Sequence, residues 1–220
     1  MPVDELGPLP GGHHGLSREQ IVESQRERLL AAIADQVAAK GYRGTTITEV
    51  VKVASVSTRD FYELFDGKED CFLAAFDVVR GHLEALVRRA ADAEDDWPHQ
   101  VIAGLRAALE FLAAEPGLAR LCLLEAVSAT PATAIRFREA VLAGVPALAE
   151  GRVELADQSS LLPETEDAIL GGLVSLATRS IIAGDAEKLP ELLPDFVDFA
   201  LGPYLGAERA IELAQEVHSG

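Results

Sequence analysis

Aromatic residues are scarce in this chain: Phe, Trp and Tyr together make up 5% of its 220 residues, while hydrophobic residues as a class reach 49%. A core drawn mainly from Ala, Leu, Val and Ile favours helix packed on helix over a β-sandwich, whose strands want Tyr, Trp, Phe and Thr. Cysteine is almost missing. Cys71 and Cys122 are two widely separated residues, so free thiols are expected rather than a bridge, and a structural zinc site fails on ligand count. Long hydrophobic runs are missing too. Segments such as Ala74-Ala75-Phe76 and its neighbours are typical, far short of a membrane span. The start of the chain shows no charged segment leading into an apolar stretch, so no secretory signal is expected and the location reads as cytoplasmic. Collagen-like, disulfide-framework, membrane and disordered classes are thereby excluded, and the expectation is a soluble all-α protein.

Basic charge is in short supply, and unevenly so. The formal net charge is −17. Residues 17–68 carry eight basic and eight acidic side chains, whereas 69–220 carry eleven basic and twenty-six acidic. This asymmetry suggests two regions with different partners. So negative a total argues against unspecific polyanion binding but leaves room for a local patch.

What is present is a series of helix signals. Residues 1–16, rich in Pro and Gly, read as a flexible arm; its His13-His14 pair lacks a third metal ligand. Ser17-x-x-Gln20 has the form of a capping box and opens a helix to about Lys40, with Gly41 as its stop. Thr46-x-x-Glu49, Ser57-x-x-Asp60 and Asp66-x-x-Glu69 repeat the form, predicting two short helices and then a long one towards Ala91. Two short helices joined across Ser55-Val56 have the layout of a helix-turn-helix. Beyond Glu94-Asp95-Asp96 and Trp97-Pro98, helices are expected at about 98–114, 117–128, 131–149, 164–183, 190–205 and 207–217, several of them opened by proline.

The informative stretch runs from Gly41 to Asp70. A tri-helical unit would bury Ile47, Val50, Val51, Val56, Phe61 and Phe65 against Leu30, Ile33 and Val37. Thr58, Arg59, Tyr62 and Glu63 would then face outward at the start of the second short helix. Arg can pair with a guanine edge in a major groove, while Thr, Tyr and free backbone N–H groups can hold phosphates. Lys68 adds a cation in the first turn of the next helix. Each has a plainer alternative. Arg59 and Glu63 stand at the spacing of a helix ion pair, Tyr62 can shield the edge of the core, Asp60 can cap Ser57, and Glu63 can either read a cytosine or repel phosphate.

These residues resemble the DNA-binding signature of the tetracycline-repressor (TetR) type of bacterial regulators. The resemblance lies in GYRGTT, then VVKVASVSTRDFYELFDGKEDCF, and covers about residues 20–76. It implies that Thr46 and Thr48 touch the DNA backbone, that Ser57, Thr58 and Arg59 begin the recognition helix, that Tyr62 contacts a phosphate, and that Lys68 opens the fourth helix as a further contact. Ser55 stands where the usual turn has glycine, Leu64 where a polar residue is common, and the arm lacks arginine. The implied organisation is an arm (1–16), a helix-turn-helix domain (17–68) and a helical effector-binding and dimerisation domain (69–220).

For that larger part the resemblance implies a ligand pocket within 100–150, with Arg106, Phe111, Cys122, Glu125, Arg136 and Phe137 as candidate lining. Each is equally readable as core or surface. The apolar helices around Glu166–Ile182 and Phe196–Tyr204 carry candidate dimer contacts in Leu173, Leu176, Phe196 and Phe199, with Gly171-Gly172 and Ser175 allowing close approach; the alternative is intramolecular core. No nucleophile–base pair, H-E-x-x-H, phosphate loop or G-x-S-x-G occurs, so neither catalysis, metal nor cofactor is expected. The expected function is a homodimeric regulator on a double-stranded operator, more often a repressor, released by a small-molecule effector. The alternative is a relative that keeps the fold and binds a ligand or partner without specific DNA binding.

Overall fold

Ser17 caps the first described helix as expected: its hydroxyl accepts from the Gln20 N–H, and the Gln20 side chain accepts the Ser17 N–H in return. In the computed structural model, which describes residues 17–155 and 161–219, this box opens α1 (Arg18–Gly44). Gly41, at φ +80°, breaks α1 and leaves one further turn. Thr46 and Ser57 then cap α2 (Ile47–Ala54) and α3 (Thr58–Leu64). The arm, with His13 and His14, lies outside the described residues.

The box expected at Asp66 does not form. Helix α4 (Lys68–Ala91) has Gly67 at its cap without a side-chain bond, because the Asp70 carboxylate reaches back to the Asp66 N–H at 3.0 Å. Leu29, Ile33 and Val37 of α1, Val50 of α2, Phe61 of α3, Phe65 at its C-terminal cap and Phe72 of α4 are all buried in one N-terminal core. Ile47, expected inward, is only partly buried.

Asp96 caps α5 (Trp97–Ala114). The helix expected over 117–128 is three pieces: α6 (Pro116–Arg120), a wide π turn (Leu121–Glu125) and α7 (Ala126–Ser128). The helix expected over 131–149 is broken at Ala143-Gly144, giving α8 (Pro131–Leu142), α9 (Val145–Ala149) and a 3-10 turn (Glu150–Glu154). Pro146 has no N–H to continue the earlier ladder. After α10 (Thr165–Ala183), Pro190 lies inside a second 3-10 turn (Ala186–Leu192), so α11 (Leu193–Leu205) starts later than expected, followed by α12 (Ala207–Ser219). No strand occurs among the described residues, and no helix there is long and apolar enough to cross a membrane.

A second core gathers α5, α10, α11 and α12 around Leu109, Leu189, Val197, Leu201 and Leu213. It contains one polar knot. Glu166, 3% exposed, accepts from Arg152 through both oxygens at 2.8 Å and from the Tyr204 hydroxyl at 2.9 Å. Trp97 lies over Gly151 and donates its indole N–H to the Ala147 carbonyl at 2.8 Å, so a Cβ at Gly151 would collide with the ring. Phe111 and Phe137 pack against both cores.

Two expected dimer contacts are corrected here. Leu173 (5% exposed) and Phe196 (4%) are filled by their own chain, because the apolar stripes carrying them pack into the second core. Gly172 is likewise used internally, its missing Cβ leaving room for the Phe199 ring. The outward face of α10 and α11 instead presents Gly171, Ser175, Arg179, Ile182 and Phe199, with Leu176 half-buried beside them.

Candidate nucleic-acid interface

Three local devices aim α3. Ser57 accepts the Asp60 N–H at 3.0 Å. Asp60 does not return the bond; its carboxylate accepts instead from the Gln25 amide of α1 at 3.4 Å. Ser55 occupies the left-handed region (φ 52°, ψ 44°) usually given to glycine, and the Arg28 guanidinium holds that turn by donating to the Ala54 and Ser55 carbonyls at 2.7 and 3.2 Å. Arg28 and Gln25 were not legible as turn supports, since both bonds depend on how α1 crosses the short helices.

The turn and helix leave Ser57, Thr58, Arg59, Tyr62 and Glu63 exposed. Tyr62 is 58% exposed, its ring edge-on to Phe61 at 5.3 Å, and its hydroxyl has no hydrogen-bond partner among the described residues. A tyrosine serving only to shield the core would bury more of its ring. Arg59 donates to Glu63 at 3.0 Å, the alternative pairing raised by its spacing, yet its side chain is 86% exposed. Such a pair is worth little in water and is easily exchanged for a phosphate or base edge. Leu64 is half-buried against the core, which accounts for an apolar residue there.

Thr46 and Thr48 are both exposed at the start of α2. Thr46 also caps the helix: its oxygen accepts the Glu49 N–H at 3.3 Å, and Glu49 accepts the Thr46 N–H at 3.0 Å. Hydrogen bonds from Lys40 first, then from Thr46, pull the Glu49 carboxyl down to about 2. Arg43 and Lys52 are exposed cations with no ion-pair partner among the described residues.

Lys68 is placed differently from expectation. Its ammonium donates to the Tyr42 and Thr45 carbonyls, each at 2.9 Å, and lies 4.1 Å from the Tyr42 ring centre. Burial lowers its pKa. Two of its three donors therefore hold the end of α1 against α4, and one is left for a ligand.

The expected pocket residues do not all come together: three share one core and three are engaged elsewhere. Phe111, Cys122 and Phe137 meet at the N-terminal core, where burial pushes the Cys122 thiol up to about 12 and keeps it a small hydrophobe. Arg136 is taken by Asp77 at 3.2 Å. Glu125 turns to the Tyr42 N–H at 2.8 Å. Arg106 lies apart from them, exposed in an open cleft of about 480 Å³ with His99, Glu110 and Glu216.

A tri-helical head with an outward recognition helix, joined to a larger helical body, defines the class of two-part helix-turn-helix proteins. Residues 29–75 match the family described as bacterial regulatory proteins, tetR family. The fatty acid degradation regulator FadR from Bacillus halodurans has the same fold at 19% identity and a TM-score of 0.71, over 81% of this chain and 95% of that one. FadR from Bacillus subtilis, in complex with stearoyl-CoA, gives 16% and 0.69 over 82% and 98%. A TetR-family regulator from Syntrophomonas wolfei gives 17% and 0.65 over 90% and 96%. No curated protein matches the chain. The family match covers the head of the chain, and the likeness to the solved structures extends the shared fold over the body.

Proposed function

We propose that this regulator binds a near-palindromic operator as a homodimer and represses until a small-molecule effector releases it. The observation that carries this reading is the outward end of α3, where Thr58, Arg59 and Tyr62 project with little hold on them from their own chain. In a major groove Arg59 reads a base edge, Tyr62, Ser57 and Thr58 hold phosphates, and Thr46 and Thr48 track the backbone beside α2. Arg43, Lys52 and the remaining donor of Lys68 supply further phosphate contacts.

Dimerisation would use the outward stripe of α10 and α11. Its small residues permit close helix packing, Ile182 and Phe199 supply apolar area, and Arg179 on α10 complements Asp195 and Asp198 on α11 across a two-fold axis. The two recognition helices would then lie about one DNA turn (~34 Å) apart. An effector would enter where the two cores meet around Phe111, Cys122 and Phe137 and favour a form whose heads no longer match that spacing. Stearoyl-CoA, the ligand of the Bacillus subtilis neighbour, is the natural first probe.

One second reading has an observation behind it. Arg59 is paired with Glu63, and Lys68 is mostly spent inside the head, so a relative that no longer reads DNA would look similar here. Titration against DNA from upstream of the gene, then selection from random sequence, separates the two. Specific, salt-dependent binding that is lost in Arg59→Ala and Tyr62→Ala supports the regulator. Failure of both searches leaves the second reading.

A further inference from the structure

The π turn at 121–125 lies astride the two cores. Leu121, Cys122 and, just beyond it, Ala126 belong to the N-terminal core, whereas Leu123 belongs to the C-terminal one. A π turn holds one residue more than the surrounding ladder accommodates, and such insertions are common at functional sites. Its last residue, Glu125, extends a carboxylate into the break of α1 and accepts the Tyr42 N–H at 2.8 Å, a bond between residues 83 apart in sequence. Gly41 leaves the space for it: a Cβ there would stand 3.3 Å from Glu125 Oε1, and φ +80° disfavours a side chain in any case.

The next peptide group, through the Tyr42 carbonyl, is held by Lys68, which also holds the Thr45 carbonyl. Thr45 is buried, its hydroxyl donating to the Gly41 carbonyl at 2.9 Å, and Thr46 beside it caps α2. Polar contacts therefore run from Glu125 through the Tyr42 backbone, N–H on one side and carbonyl on the other, to Lys68. They end at the start of α2 on one branch and at the start of α4, three residues after the recognition helix, on the other.

We propose that Glu125 is a positioning residue for DNA binding, through which the body fixes the angle of the reading head. The π turn is the element that can withdraw it. Closing that turn to an ordinary α register would rotate Glu125 by about 100°, the angle of one helical residue, and take its carboxylate off the Tyr42 N–H. The inference deepens the DNA-binding reading above and rests on it for its functional half only.

The test combines hydrogen exchange of the full-length protein with operator titration, using Glu125→Ala, Glu125→Gln and Glu125→Asp. Glutamine keeps an acceptor at the same reach, while aspartate keeps the charge one methylene short and serves if the alanine variant fails to fold. The expected result is that the Ala and Asp variants lose at least tenfold protection at Tyr42 and over 42–46. The same two variants should bind the selected operator at least tenfold more weakly, with Gln close to wild type in both. Unchanged protection in Ala or Asp overturns the inference, as does lost protection with unchanged operator affinity. If the wild type binds no DNA at all, the reading under Proposed function fails instead, and the exchange result alone decides whether Glu125 holds the head.

Discussion

Ser55 is the sole non-glycine residue with positive φ among the described residues, and it lies at the turn that sets the angle between α2 and α3. The left-handed conformation costs an L-residue roughly 1–2 kcal/mol, while glycine costs about 0.5–1 kcal/mol more in lost chain freedom. Ser55→Gly is therefore expected to stabilise the protein by about 0.5–1 kcal/mol, read as a raised urea midpoint with an unchanged slope. Glu63 offers a second single-residue test. Its pair with Arg59 is exposed, so Glu63→Gln should leave stability within about 0.5 kcal/mol of wild type. Freeing Arg59 and removing a negative charge next to phosphate should tighten operator binding about three- to tenfold at moderate salt. A weaker complex would instead make Glu63 a reader of cytosine.

At the scale of elements, the knot of Glu166, Arg152 and Tyr204 ties α10, the 150–154 turn and α11 together. Glu166→Ala leaves the buried Tyr204 hydroxyl without its acceptor, while the partly exposed Arg152 keeps the Leu161 and Leu162 carbonyls, so the cost should be about 1–3 kcal/mol, measured by urea unfolding. The pH dependence follows from two carboxylates. The Arg152 guanidinium holds Glu166 below its ordinary value of 4.5, and Lys40 with Thr46 holds Glu49 at about 2. Both pKa values are lower folded than unfolded, so their contribution is complete above pH 4.5 and drains away as pH falls towards 2. Urea midpoints should be nearly level between pH 7 and 5.5 and fall from there to pH 3, with a smaller drop in Glu166→Gln. Elements of this kind differ in how far sequence shows them. The caps at Ser17, Thr46 and Ser57 and the stop at Gly41 were legible because each is decided within four residues. The π turn and the bond from Glu125 to Tyr42 were not, since both depend on two cores placed by distant residues. Leu173 and Phe196 show the same limit: periodicity marks a buried face but does not say whether the covering surface belongs to the same chain.

Over the whole molecule the charge is the dominant fact, with −17 in total and none of it net in residues 17–68. DNA affinity must then come from a few local cations working against an acidic body. If Arg43 and Lys52 of each head meet phosphates in a dimer, log K should fall with log salt at a slope of about −4. A slope near −5 would bring Lys68 in as well, since counterion release adds about 0.9 per contact. That arithmetic holds only if both heads bind together, which the outward stripe of α10 and α11 must ensure. Phe199, 46% exposed and one turn after Asp195, is the place to break it. Phe199→Asp puts a third carboxylate on the face proposed to meet its own copy, and the ring it removes lies against Gly172. Sedimentation should show the wild type at twice the 23.4 kDa chain mass and the variant at the chain mass, with the salt slope roughly halved and operator affinity reduced at least a hundredfold as half-sites bind singly. A variant that stays dimeric with full affinity would move the interface to another face of the body, and with it the spacing expected between the two recognition helices.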